Sequence, residues 1–329
     1  MRCFIALSSA NTIVPLGIWY SNTMIVRHEY RGGVWIDLEQ PTEDEIQQIA
    51  HEFSINERIE TELLSPTPTP LVIRDDSHTL LVLHFPAQNT KNDEAENQEI
   101  DFLIGKHFIV TARYEVIVPL HRLKKIFETR DLVAGRESVT TDILLEILFA
   151  HLYASVRDYT NNIANRLEHI ERDMFDGHER RTVRAISSIS REFLHLEAAI
   201  ANQEEPLNRF LQALTQHGFF DVSFSERKER ILAERVQVMQ FVKTHRAVAI
   251  EMRETNAALL EASQNEIMKM LTIITVIVLP LELIAFIFGM HARGTPLEGN
   301  PNAFFIIMGL MLAAVTLMTV YFARKRWIF

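Results

Sequence analysis

The chain has 329 residues, more than one small core uses, and its single cysteine, Cys3, excludes an internal disulfide framework and any cysteine-based zinc site. Its formal charge is −10; the six charged residues after Lys269, four basic and two acidic, sum to +2, so residues 1–269 carry −12. So acidic a soluble part is a poor match for nucleic acid, whose phosphates demand a basic surface, and suits solubility or the attraction of cations.

The first twenty residues, MRCFIALSSANTIVPLGIWY, superficially resemble a short signal peptide. Ser8, Ser9, Asn11 and Thr12 break the apolar run and Pro15 and Gly17 follow it, so the segment reads as an exposed lead into a first strand. Residues 33–39 (GVWIDLE) predict that strand, and 41–52 (PTEDEIQQIAHE) predict a helix opened by Pro41 and acidic residues. A second short helix is expected over 55–64, ended by the SPTPTP run at 65–70. Strand patterns rich in Val, Ile, Leu and Phe follow at 70–74, 79–86, 99–105 and 107–113, with the polar stretch 87–99 between two of them. Residues 1–130 therefore predict a cytosolic α/β domain.

From about residue 116 the pattern turns helical, and residues 131–268 predict a helical stalk. Apolar residues at spacings of three and four run over 138–176 until Gly177, and a second helix covers about 179–215. A third opens near Ser225 and meets neither glycine nor proline before Pro280; unbroken to Met290 it would be a rod of about 100 Å at ~1.5 Å per residue. Ile231, Val238, Val242, His245, Ala249, Met252 and Leu259 fall near heptad spacing along it, which predicts packing against copies of itself. The alternative is an ordinary bundle core, in which His245 is a packed polar residue and not a ligand.

Two apolar runs close the chain, MLTIITVIVLPLELIAFIFGM at 270–290 and AFFIIMGLMLAAVTLMTVYFA at 303–323. As helices each spans roughly 30 Å, the hydrocarbon thickness of a bilayer. Transmembrane segments are expected at 269–290 and 303–323, joined by an extracytoplasmic loop, 291–302, and followed by a basic tail, 324–329. Lys269 before the first span and Arg324, Lys325 and Arg326 after the second put both termini in the cytosol by the positive-inside rule, in an inner or plasma membrane.

Glu282 is the informative residue. A carboxylate in mid-span costs a few kcal/mol facing lipid, so it should face a water-filled path or a partner. No Lys, Arg or His lies at comparable depth to pair with it. Helical spacing puts Asn265, Met268, Leu271, Thr275, Leu279, Phe286 and Gly289 on its face. Two spans cannot enclose a pore, so several copies must, and Glu282 then forms a cation-selecting belt beside apolar collars of Leu279 and Phe286. The alternative is a protonated Glu282 bonded to a neighbouring helix, for example at Thr316 or Thr319. Pro280 predicts a kink, serving either packing or gating.

The run NEIMKMLTIITVIVLPLELIAFIFGMH resembles the pore helix of the CorA family of divalent-cation transporters, with Asn265, Met268, Lys269, Leu271, Thr272, Pro280, Leu281, Gly289 and Met290 in register. WIDLE at 35–39 and FLIGKHFIVT at 102–111 resemble that family's cytosolic domain. The resemblance implies a homopentameric funnel with the first spans around the pore and the second spans outside. It makes Gly289, Met290 and residue 291 an outer-mouth signature, with Glu298 in the outer loop, and it makes divalent cations such as Mg²⁺ or Zn²⁺ substrates and regulators, with no covalently bound cofactor.

Two departures bear on the ion. His291 stands where the family carries Asn, and imidazole suits Zn²⁺, Ni²⁺, Co²⁺ or Cu²⁺ better than the reluctantly dehydrating Mg²⁺; an exposed loop histidine is the other reading. Glu282 stands where the family usually has an uncharged residue, so Glu282 and His291 are the metal-contacting candidates. Asp93, Glu94, Glu96 and Glu99 offer acids for a regulatory metal site, or simply a solvated loop. Three functions follow: a passive divalent-cation channel, a proton-coupled zinc transporter similar to ZntB, and a non-conducting membrane-anchored scaffold or sensor. No P-loop, HExxH, GxSxG or cysteine pair points to an enzyme.

Overall fold

The computed structural model describes residues 25–30, 32–88, 95–114, 139–290 and 301–325. Six strands, β1 (Ile25–Tyr30), β2 (Gly33–Glu39), β3 (Leu71–Arg74), β4 (Thr79–Gln88), β5 (Ala95–Gly105) and β6 (Phe108–Arg113), form one sheet in the order β1-β2-β6-β5-β4-β3. Only the central β2–β6 pair is parallel, with Val34 opposite Phe108 and Leu38 opposite Ala112. It opens where the Val34 N–H donates to the His107 carbonyl at 3.0 Å. A Cβ on Gly33 would lie 1.6 Å from that carbonyl oxygen, so only glycine lets the two chains approach.

Two elements depart from the sequence pattern. β1 (IVRHEY) carries three polar residues in six and shows no strand signal, yet it pairs along the sheet edge from Ile25–Leu38 to Tyr30–Gly33. The β4–β5 arms extend through part of the polar stretch 87–99, as far as the Gln88–Ala95 pair. Backbone pairing holds those arms, and apolar patterning does not report it.

Helices α1 (Glu43–Phe53) and α2 (Glu57–Leu63) cover one sheet face. Thr42 caps α1: its hydroxyl accepts the Glu45 N–H and the Glu45 carboxylate accepts the Thr42 N–H at 2.8 Å, so Pro41 lies outside the helix. Asn56 caps α2, accepting the Arg58 N–H at 2.9 Å. The opposite face receives α3 (Thr141–Phe175), where Phe149 stacks on Phe102 at 5.1 Å and Tyr153 meets Phe85 at 5.7 Å.

The second expected helix, 179–215, is two: α4 (Glu179–Asn202) and α5 (Glu204–His217). Pro206, in the first turn of α5, has no N–H to continue the α4 ladder. The break is anchored by fully buried Gln203, which accepts the Tyr153 hydroxyl at 2.9 Å and donates to the His84 carbonyl at 2.8 Å. α6 then runs unbroken for 66 residues, Phe224–Gly289, with Pro280 inside it, and α7 spans Ala303–Arg324.

Most of the heptad-like stripe of α6 is covered by its own chain, and His245 and Leu259 are half-buried. Ile231, Val238, Val242, Ala249 and Met252 are buried within the single chain. Bonds on this side reach α3 and α4: Arg157 to Glu234 at 2.9 Å, Arg235 to the Ile200 carbonyl at 3.3 Å, and Thr182 to Asn256 at 3.1 Å. The stripe is an intrachain bundle core, and half-buried His245 belongs to its edge. Among the described residues two compact units form, one holding those up to Asn162 with Glu192–Thr244, the other Ile163–Arg191 with those from His245 onward.

Candidate ion pathway

α6 and α7 are each long and apolar enough to cross a membrane, with windows of mean hydropathy 2.6 and 2.4. Within α6, Ile273 is buried and Ile277, Pro280, Leu281, Ile284 and Phe288 are partly covered. Within α7 the covered positions are Ala303, Ile307, Met311, Ala314, Val315, Met318 and Phe322. Both sets repeat at three and four residues, which is the pattern left when two helices shield one stripe of each other.

All eight predicted pore positions, Asn265, Met268, Leu271, Thr275, Leu279, Glu282, Phe286 and Gly289, are exposed in the single chain. At about 100° per residue, Glu282 falls about 180° from Ile273, and Thr275, Leu279 and Phe286 fall at about 200°, 240° and 220°. The covered residues lie between about −20° and 80° on the same scale. Glu282 thus lies opposite the α7-facing seam. Leu279 is 64% and Phe286 71% exposed, an apolar surface on either side of a carboxylate.

Glu282 has no hydrogen-bond or ion-pair partner among the described residues. Thr316, one of the two neighbouring-helix partners expected for it, donates its hydroxyl to the Leu312 carbonyl at 2.8 Å. Thr272 and Thr275 do the same toward Met268 and Leu271, at 2.8 and 2.9 Å, so these hydroxyls are engaged with their own helix. α6 ends at Gly289, and Met290, 62% exposed, donates its N–H to the Phe286 carbonyl at 3.1 Å. His291 and Glu298 lie outside the described residues.

The acid-rich stretch 93–99 divides. Asp93 and Glu94, and the side chain of Glu96, lie outside what is described, whereas Glu99 is buried and accepts the Thr67 N–H at 2.9 and 2.7 Å. Beside it stands fully buried Asp101, which accepts the Tyr114 hydroxyl at 3.2 Å. Burial, and then the Glu99 charge, hold the Asp101 carboxyl well above the usual carboxylate range. A buried carboxyl whose proton affinity is raised is a poor cation ligand, and no group of three or more His, Cys, Asp or Glu suited to a metal occurs among the described residues.

A second polar cluster went unread in the sequence because its members are distant along the chain. Arg227 meets Asp142 at 2.7 Å and Glu146 at 3.0 Å, and Arg230 meets Glu146 at 2.5 Å. These pairs fasten the first turns of α6 to those of α3 and hold the Glu146 carboxyl below the usual range. An arginine every three residues at the start of a long helix, facing acids at the start of another, was the available signal.

A sheet domain flanked by long helices, with two membrane-length helices last and a lone carboxylate on the open face of the first, defines a membrane transport protein of the CorA type. The chain belongs to the family described as CorA-like Mg²⁺ transporter protein, whose profile matches residues 30–326. The cobalt/magnesium transport protein CorA of Methanocaldococcus jannaschii is 22% identical over 302 residues, covering 90% of this chain and 91% of that protein. The complete structure of the CorA magnesium transporter from the same organism superposes with a TM-score of 0.76 at 22% identity, over 90% of this chain and 92% of that one. The ZntB cytoplasmic domain of Vibrio parahaemolyticus superposes with a TM-score of 0.57 at 11% identity, over 70% of this chain and 89% of that one.

Proposed function

We propose that several copies of this chain, five by the family resemblance, surround a pore with the Glu282 face of α6 and pass divalent cations through it. One observation carries this reading: the covered stripe of α6 leaves the carboxylate on the opposite side, unpartnered and exposed. Lipid contact there would cost ~2.5–3.5 kcal/mol, so a water-filled axis is the favourable surrounding. Copies arranged with that face inward form a carboxylate belt between collars of Leu279 and Phe286, which concentrates cations and resists anions. The name and activity of the relatives favour Mg²⁺ or Co²⁺ as cargo. Gly289, Met290, His291 and Glu298 then stand at the outer mouth, His291 biasing the order toward Zn²⁺, Co²⁺ or Ni²⁺.

The second reading, a proton-coupled zinc transporter, draws on the same carboxylate, because like charges in a ring raise each other's proton affinity. Both readings are tested by uptake of Mg²⁺, Zn²⁺, Co²⁺ and Ni²⁺ into proteoliposomes at two pH values, with Glu282→Gln alongside. Flux that the substitution alters supports the pore, and zinc flux that follows the proton gradient selects the symporter. Absence of flux for every ion, from folded and oligomeric protein, leaves the membrane-anchored scaffold.

A further inference from the structure

The hairpin of α3 and α4 separates its charges by helix. From Ile163 to Asp176 four acids, Glu168 and Glu171 among them, outweigh two arginines. From Glu179 to Arg191 four arginines, Arg180, Arg184 and Arg191 among them, outweigh one acid, Glu179. The α3 side is acidic and the α4 side basic, while the hairpin as a whole is close to neutral, which suits neither an anionic nor a cationic surface. These four acids of α3 and four arginines of α4 are all exposed, and none forms an ion pair among the described residues. Phe175, the last residue of α3, adds a ring that is 62% exposed.

The two sets of charge also face apart. On α6, Glu234 bonds Arg157 of α3 and the next residue, Arg235, bonds the Ile200 carbonyl of α4, so the two helices lie on either side of its buried face. Glu168, Glu171 and Phe175 stand about 60–120° around α3 from the buried line of Ile163, Leu167 and Met174. Arg180, Arg184 and Arg191 stand about 150–190° around α4 from the buried line of Thr182, Ile186 and Ile189. Their heights match: Glu171 and Glu168 lie about 6 and 11 Å back from the end of α3, and Arg180 and Arg184 about 2 and 8 Å from the start of α4, at ~1.5 Å per residue. Even so, no acid of this part of α3 pairs with an arginine of this part of α4 among the described residues. Within one chain the two flanks are turned away from each other.

We infer that the acidic α3 flank of one copy docks on the basic α4 flank of the next, head to tail around a ring, with Glu168 and Glu171 meeting Arg180 and Arg184 and Phe175 at the contact. Rotational symmetry turns one flank of each copy to one neighbour and the other flank to the other neighbour, at equal height, so a single pair of complementary flanks closes the ring. A two-fold pairing would set like charges against each other, and that repulsion fixes the register and rejects the face-to-face alternative. The inference rests on the ring of the proposed function, but not on what the pore carries.

The test uses the full-length chain with Cys3→Ser, Glu168→Cys and Ser187→Cys, reconstituted in liposomes and treated with a short bismaleimide. Ser187 lies on the arginine flank at the height of Glu168, so docking predicts a ladder of crosslinked species on a denaturing gel, up to the closed ring. A link inside one chain gives no ladder. In that background Arg184→Glu or Glu171→Arg should each slow crosslinking about tenfold, and the two together should restore it. A dimer from either cysteine alone would mean that like flanks meet and overturns the inference, as does a ladder indifferent to both reversals. Native mass spectrometry of the same protein reports the oligomer separately. A ring without a ladder overturns this interface alone, whereas chains that stay single overturn the ring of the proposed function and this inference with it.

Discussion

Glu282 and Ile273 stand on opposite sides of α6: Ile273 is buried on the seam and Glu282, nine residues later, is exposed about 180° away. The first residue defines how the two membrane helices of one chain hold together. The second defines what that chain presents to its surroundings.

Shortening the seam and shortening the open face should therefore have different effects. Ile277→Ala removes partly covered surface and should cost roughly 1–2 kcal/mol, seen as a Tm several degrees lower in detergent. Leu279→Ala, on the exposed face, should leave Tm nearly unchanged in dissociated chains and alter ion flux in reconstituted protein. Equal losses of Tm for the two would show that the seam is misplaced.

Gly33→Ala should be the most damaging small change in the sheet. Its Cβ meets the His107 carbonyl at 1.6 Å, so the central parallel pair must separate. A loss of roughly 2–4 kcal/mol is expected by urea unfolding. An alanine variant as stable as the parent would mean that β2 and β6 do not approach as described.

Arg113 and Asp37 are fully buried and paired at 2.9 Å, and Arg113 also holds Glu39 at 2.8 Å. Arg113→Met strands a buried carboxylate and should cost about 3–5 kcal/mol. Adding Asp37→Asn removes that charge and should recover part of the loss; a double variant no better than the single would place the cost in packing instead.

Asp101 makes the sheet domain less stable as pH rises. Its folded proton affinity is raised by burial and then by Glu99, so the folded chain keeps a proton that the unfolded chain releases above pH ~3.9. Stability falls from there up to the raised folded value. Asp101→Asn removes this fall while keeping an acceptor for Tyr114, so the variant should gain stability at pH 7.5 and little at pH 4. Urea unfolding at both values checks it, and an equal effect at the two would contradict a protonated Asp101.

Several elements were legible in the sequence because their cause is local. The apolar length of 270–290 and 303–323 identifies membrane-length helices by hydrocarbon thickness alone, and the acidic run after Pro41 marks a helix start, although Thr42 and not Pro41 opens it. Periodicity also placed Glu282, Leu279 and Phe286 on one face, since helical geometry is the same in any surrounding. The family followed from the register of the pore segment, and the profile match over residues 30–326 agrees with it.

Other features required the tertiary structure, because their cause is a partner distant in sequence. The stripe from Ile231 to Met252 has the spacing of an intermolecular seam, but α3 and α4 already cover it, and spacing does not name the partner. β1 is a strand because β2 offers its edge, and the helix break at Pro206 is anchored where Gln203 is held between Tyr153 and the His84 carbonyl. Glu99 reads as a loop acid available to metal, yet the fold turns it inward to the Thr67 N–H beside Asp101, whose proton affinity burial raises. Composition and period are properties of the chain itself, so the sequence by itself determined the membrane spans, the helical faces and the transporter family. Which apolar face is already covered, and which charge is already paired, depends on what the fold brings near, and only the tertiary structure decided those.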